Sequence, residues 1–135
     1  MRLLADTQVL VWYLTAEERL SATALEELNA ETDVGRRIGV SGHALVELAY
    51  AVEKKRDPLT SDDVDAIIAV LRDDASPFEV VPLDLAIGER VRSVPREDNA
   101  DPGDRIVVAT AEVLELDIVS ADRKIPGMTP RRVIW

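Results

Sequence analysis

Residues 101–122 read DPGDRIVVATAEVLELDIVSAD, and this stretch decides the fold. Asp101 followed by Pro102 is helix-start chemistry: an Asp N-cap accepts backbone N–H groups, and proline at the first helical position lacks a donor that would go unpaired anyway. The apolar run behind it predicts a helix from Pro102 to about Leu116. Ile118–Ser120 then reads as a short strand, with Asp122 two residues beyond it. An apolar helix leading at once into a short apolar strand belongs to a sheet covered by helices.

The same alternation recurs along the rest of the chain. Arg2–Ala5 is an apolar strand ending at Asp6, and Val9–Leu14 follows as a turn or two of helix. Leu20, Leu25 and Leu28 recur at near-helical spacing behind Ser21, a good N-cap. The polar segment Glu31–Arg37, with Gly35, reads as a connection. Ile38–Ser41 is a second strand and His43–Lys55 a helix, broken at Asp57-Pro58. Thr60 or Ser61 caps the next helix, where Val64, Ile67, Ile68 and Leu71 fall at i, i+3, i+4 and i+7. Phe78–Val81 gives a third strand, and Asp84 caps a helix carrying Ile87, Val91 and Val94. Pro95–Gly103 is a polar loop, and Val133–Trp135 a short edge strand. The whole predicts an α/β domain with a mainly parallel sheet, in which sites form outside the carboxyl ends of the strands.

Composition narrows the chemistry. The chain has 135 residues, 47% of them hydrophobic, so a proper core in one domain spanning 1–135 is expected. No cysteine is present, which excludes disulfides and thiolate zinc sites, and one histidine excludes multi-histidine metal sites. Sixteen Lys and Arg against 26 Asp and Glu give a net charge of −10, unlike a generic polyanion binder. The N-terminus shows no apolar signal segment, and no run approaches the about 18 apolar residues of a membrane span, so a cytoplasmic protein is expected.

Four carboxylates stand out against this background. Asp6 directly follows the first strand, where it faces the crevice or caps the next helix. Glu47 is the only charge in Ala44-Leu45-Val46-Glu47-Leu48-Ala49-Tyr50-Ala51-Val52, on a helix apolar nearly all round. It is therefore either buried, and costly unless paired or metal-bound, or turned to water opposite the Leu45/Leu48/Ala49/Val52 stripe. Asp104 sits in the first turn of the most apolar helix, where the dipole favours anions. Asp122 follows the fourth strand and suits a turn. In a parallel sheet all four can converge on one edge. Two unit charges 4 Å apart repel by about 4 kcal/mol at an effective dielectric near 20. Four converging carboxylates would need protonation or cations, and an all-oxygen set suits Mg²⁺ or Mn²⁺. Thr7 and Ser120 add hydroxyls able to orient water or a carboxylate.

The sequence resembles PIN-domain ribonucleases, most closely the toxin subunits of VapBC toxin–antitoxin pairs. The resemblance rests on four motifs in order: Leu4–Trp12, Val40–Ala49, Asp101–Ala111 and Ile118–Asp122, with Val133-Ile134-Trp135 similar to the family's last strand. It implies a three-layer α/β/α domain with a mainly parallel four- to five-stranded sheet, and an endoribonuclease using one or two Mg²⁺ or Mn²⁺ ions. By position Asp6, Glu47 and Asp104 match the family's metal-binding acids and Asp122 the more variable fourth. Ser120 stands where the family commonly has Thr or Ser. Gln8 departs from the Asn, Ser or His of many relatives. Thr7, Ser120 and Asp101 are expected to support the acids, Asp101 also as the helix cap.

The resemblance further implies a structured RNA substrate such as tRNA or rRNA, a VapB-type antitoxin in a hetero-oligomer, and a homodimer. Val9–Leu14 and Leu45–Val52 are candidate faces for these partners, or simply core. The basic groups are Arg36-Arg37, Lys54-Lys55-Arg56, Arg90 with Arg92, Arg123-Lys124 and Arg131-Arg132. Of these, Arg123 and Lys124, next to Asp122, are the phosphate candidates. His43, one turn before Glu47, reads as a packing or capping residue. A receiver-type phosphoacceptor domain would need an acid pair after strand one and an acceptor Asp after a middle strand. A single Asp6, and Ser41 or Pro82, stand there instead. A catalytically weak or inactive PIN-like module that binds RNA or protein is the remaining alternative.

Overall fold

Leu3, Leu4 and Ala5 are all buried and form β1 (Leu3–Ala5). Side chains alternate across a strand, so Leu3 and Ala5 enter one core and Leu4 the other. A strand with no exposed position belongs in the middle of a sheet covered on both faces. The computed structural model, which describes residues 1–55, 59–96 and 101–135, places it there. Its partners are β2 (Ile38–Ser41), β3 (Phe78–Val81), β4 (Asp117–Val119) and β5 (Val133–Ile134). The five run in the order β3-β2-β1-β4-β5, every neighbouring pair parallel.

Helices close both faces, giving the expected three layers. On the Leu3/Ala5 side lie α1 (Thr7–Thr15), α2 (Ala22–Asp33), α3 (His43–Lys54) and α4 (Ser61–Arg72), which bury Val9, Leu10, Leu28, Leu48 and Ile67 there. On the Leu4 side lie α5 (Leu85–Val91) and α6 (Pro102–Leu114), which contribute Ile87, Val107, Val108 and Ala111. Short polar residues start the helices as the sequence predicts. Asp6, Ser21, Thr60, Asp84 and Asp101 each accept a backbone N–H of the first turn. Thr60, rather than Ser61, is the cap of α4, and Asp63 returns the bond in a capping box. Among the described residues no helix is long and apolar enough to cross a membrane.

Several boundaries differ from the sequence reading, each for a physical reason. Helix α2 runs to Asp33 through part of the segment read as a connection, because Glu31 is buried and paired twice with Arg36, at 2.7 and 3.0 Å. Helix α6 stops at Leu114, where Glu115 turns left-handed at φ 56. On α3 the buried side chains are Ala44 and Leu48, while Leu45, Val46, Ala49 and Tyr50 are exposed. The buried stripe read from Leu45 and Ala49 is therefore corrected: α3 is apolar on its outer face as well. Two 3-10 turns, Glu17–Arg19 and Ile125–Met128, carry too little periodicity to be visible in sequence. Arg56, the Asp57-Pro58 break and positions 97–100 of the polar loop lie outside the described residues.

The Glu31–Arg36 pair offers a direct check on the fold. Its hydrogen bonds to Arg36 hold the Glu31 carboxyl below the ordinary carboxylate range. A depressed pKa stabilises the fold fully above that range and ceases to do so as pH falls through the folded value. Glu31→Gln should lower the melting temperature by a few degrees at pH 7, and the deficit should close as the carboxyl protonates. Melting curves of both proteins at neutral and strongly acidic pH measure it.

Candidate active site

The strand order reverses direction at β1: the chain leaves it toward β2 and β3 on one side and returns to β4 and β5 on the other. Ligands in open parallel sheets bind beyond the carboxyl ends of the strands at such a switch point. The residues just past β1 and β4 are Asp6 and Ser120-Ala121-Asp122. The Asp6 N–H donates to the Val119 carbonyl at 3.1 Å, which fixes the two strand ends together.

Asp6 has two roles at once. One carboxylate oxygen accepts the Val9 N–H at 2.9 Å as the cap of α1, and the other accepts the buried Ser120 hydroxyl. Both alternatives left open by the sequence, cap and crevice carboxylate, are therefore true. The side chain also lines a cleft of ≈ 630 Å³ that Glu47, Asp104 and Asp122 line with it. The sheet thus brings all four carboxylates singled out from sequence to a single opening.

Each acid is positioned by a different device. Glu47 reaches the cleft from α3 and accepts the Thr7 hydroxyl at 2.9 Å. Gly103 makes room for it: a Cβ there would stand 3.0 Å from the Glu47 carboxylate carbon and both its oxygens. The first turn of α6, started by Asp101 accepting the Gly103 N–H at 2.8 Å, brings Asp104 to the cleft. Asp122 is held by its N–H donating to the Ser120 hydroxyl at 3.1 Å, while one of its oxygens accepts the Lys124 N–H at 2.9 Å. Ser120 therefore ties Asp6 to Asp122, and Thr7 ties α1 to Glu47.

The electrostatics follow from this crowding. Burial pushes the Asp6 carboxyl up to about 6, against the lowering by its Ser120 and Val9 hydrogen bonds, and the Glu47 and Asp122 charges raise it further. Glu47 is also raised, first by burial, while the Thr7 hydroxyl and His43 oppose the shift and Asp101 and Asp104 add to it. The donors are oxygens throughout, the choice of a hard divalent cation. A positive charge would relieve both the desolvation and the mutual repulsion. Among the described residues, no three acidic or histidine side chains are already gathered into a finished metal-holding group. The acids share the cleft without closing on one point.

Other residues fall differently. Arg123 and Lys124 are exposed and do not line the cleft. Arg36, Arg90, Arg131 and Arg132 are paired with Glu31, Glu112, Asp117 and Glu27, so four of the basic positions read from sequence are engaged within the fold. His43 does not line the cleft; it starts α3, its N–H donating to the Ser41 hydroxyl at 3.2 Å. The structure adds Asp63, Trp12 and Arg19, which line the cleft and were not singled out from sequence. Asp63 is hidden behind its capping box, and Arg19 stands alone among acidic neighbours rather than in a basic run.

A family model described as PIN domain matches residues 3–128. The structure of VapBC2 from Rickettsia felis, bound to a DNA fragment from its promoter, superposes with a TM-score of 0.71 at 14% identity, covering 98% of this chain and 97% of that one. DNA-bound VapBC from Salmonella typhimurium gives 0.66 at 21% identity, covering 98% and 96%. VapBC-1 from nontypeable Haemophilus influenzae gives 0.64 at 13%, with the same coverages. A search of curated proteins finds no match.

Asp6 makes the site testable without a metal. A carboxyl whose pKa rises from 3.8 to about 6 on folding opposes folding when ionised. In chelator, Asp6→Asn should therefore stabilise the protein at pH 8, by at most about 3 kcal/mol since Asp6 opens onto the cleft. The gain should shrink as pH falls through 6 and vanish near 4, where the carboxyl is protonated folded and unfolded alike. Urea unfolding across that pH range reads both size and sign.

Proposed function

This chain belongs to the PIN domain family, and from that premise we propose that it is a Mg²⁺- or Mn²⁺-dependent endoribonuclease, the toxin of a VapBC-type toxin–antitoxin pair. The observation that carries the reading is the meeting of Asp6, Glu47, Asp104 and Asp122 at one cleft on the sheet's switch point. Burial and like charge raise Asp6 and Glu47, as expected of acids arranged for a cation.

In this reading the four carboxylates hold one or two ions. A bound divalent ion supplies Lewis-acid activation of water and stabilises the charge on the departing 3′-oxygen. The chain's own residues do the rest. Ser120 and the α1 backbone fix Asp6, Thr7 fixes Glu47, and the Asp101 cap fixes the turn that presents Asp104. Among the described residues that line the cleft, the groups able to accept a proton from water are carboxylates: these four and Asp63, which is engaged in its capping box with Thr60. Structured RNA, tRNA or rRNA, is the proposed substrate. A VapB-type antitoxin is the proposed partner, supported by the VapBC complexes of the same fold, and a homodimer within the hetero-oligomer is proposed with it.

Purified, antitoxin-free protein should cut tRNA or rRNA with Mg²⁺ or Mn²⁺ and not in chelator. Asp6→Asn and Asp104→Asn should each lower the rate by on the order of a hundred-fold, the scale of disturbing a metal's surroundings. Mn²⁺ should also raise the melting temperature of the wild type more than that of either variant. Equal cleavage by wild type and variants would defeat the mechanism. RNA binding without cleavage would leave a binding module.

A further inference from the structure

The cleft runs on from the carboxylates along α1 to two side chains with no part in the chemistry just proposed. Trp12 and Arg19 both line it. The Arg19 guanidinium sits 4.8 Å from the centroid of the Trp12 ring. Trp12 in turn packs on Trp135, the residue after β5, with ring centroids 5.8 Å apart at 45°. The platform under Arg19 is thus built from both ends of the chain.

The backbone beneath Arg19 is equally fixed. Its N–H donates to the Ala16 carbonyl at 2.9 Å, Leu20 beside it is buried, and Ser21 caps α2 directly after. Glu17 and Glu18 precede it, yet Arg19 makes no ion pair among the described residues. Five carboxylates line the cleft, and among the described residues Arg19 is its single cation. An arginine on an indole face keeps N–H donors for a phosphate while its flat surface stays packed.

An RNA strand entering this cleft meets a chain of net charge −10. Divalent ions held by the carboxylates would offset repulsion at the scissile phosphate, but the next phosphates along the strand would need a cation of the protein's own. Trp12 lies six residues along α1 from Asp6, about 9 Å of helix rise, so the ring that carries the guanidinium is offset from Asp6 along the α1 wall of the cleft.

We propose that Arg19, held on Trp12, is the phosphate-binding side chain of the cleft, gripping the RNA backbone to one side of the cut. It is a binding and positioning residue, and the proposal rests on the nuclease reading above. The test uses unfractionated tRNA with Mn²⁺, comparing wild type, Arg19→Gln and Arg19→Lys, with circular dichroism to establish that each is folded. Arg19→Gln should raise KM about ten-fold, the scale of one charge-assisted hydrogen bond, while kcat changes less than about two-fold. The slope of log affinity against log salt should fall by about one. Arg19→Lys, which keeps the charge, should recover most of the affinity and the full salt slope. Unchanged KM and slope in Arg19→Gln overturn the proposal, whatever Arg19 does for a protein partner. Loss of kcat with unchanged KM overturns it too. Wild-type protein that neither binds nor cuts tRNA takes the nuclease reading with it, whereas wild-type cleavage with an indifferent Arg19→Gln removes Arg19 alone.

Discussion

The structure turns on one half-buried carboxylate. Asp6 caps α1, accepts the Ser120 hydroxyl and, through its N–H, ties the end of β1 to the end of β4. Those bonds favour its charged form, yet burial outweighs them and leaves the carboxyl at about 6. The fold tolerates it because the first turn of α1 and Ser120 meet at the end of β1 and donate hydrogen bonds to its two oxygens.

Around that point the protein uses small, local devices rather than large rearrangements. Thr7 sits one residue after Asp6 and steers Glu47, forty positions away in sequence. Gly103 is open where any side chain would press on the Glu47 carboxylate. Ser120 serves two acids, donating to Asp6 and accepting from the Asp122 backbone. The four acids are thus set by one hydroxyl, one glycine, a shared serine and a helix cap.

Much of the fold was legible in the sequence because its signals are local. Three-residue apolar strands, Asp and Ser caps, and the Asp101-Pro102 helix start depend on neighbours a few positions away. The four acids were legible for the same reason, since each breaks an apolar pattern or follows a strand. The outer face of α3 was not: Leu45, Val46 and Tyr50 are apolar yet exposed, and periodicity cannot tell an inner stripe from an outer one when both are apolar. The extent of α2 was hidden because Glu31 reads as polar surface until Arg36 folds back on it.

The basic residues draw the same boundary more sharply. Arg123 and Lys124, the phosphate candidates read from sequence, lie outside the cleft, and Arg131 and Arg132 pair with Asp117 and Glu27. Arg19, isolated and flanked by acids, lies instead in the cleft against Trp12. The sequence by itself determined the alternation of strands and helices, the cap residues and the identity of the four unusual carboxylates, because those follow from near neighbours and side-chain chemistry. The tertiary structure alone decided which acids share an opening, how far burial moves them and which cation faces them. Those properties depend on distances between segments, and in a parallel sheet the segments that meet at one edge lie far apart in the chain.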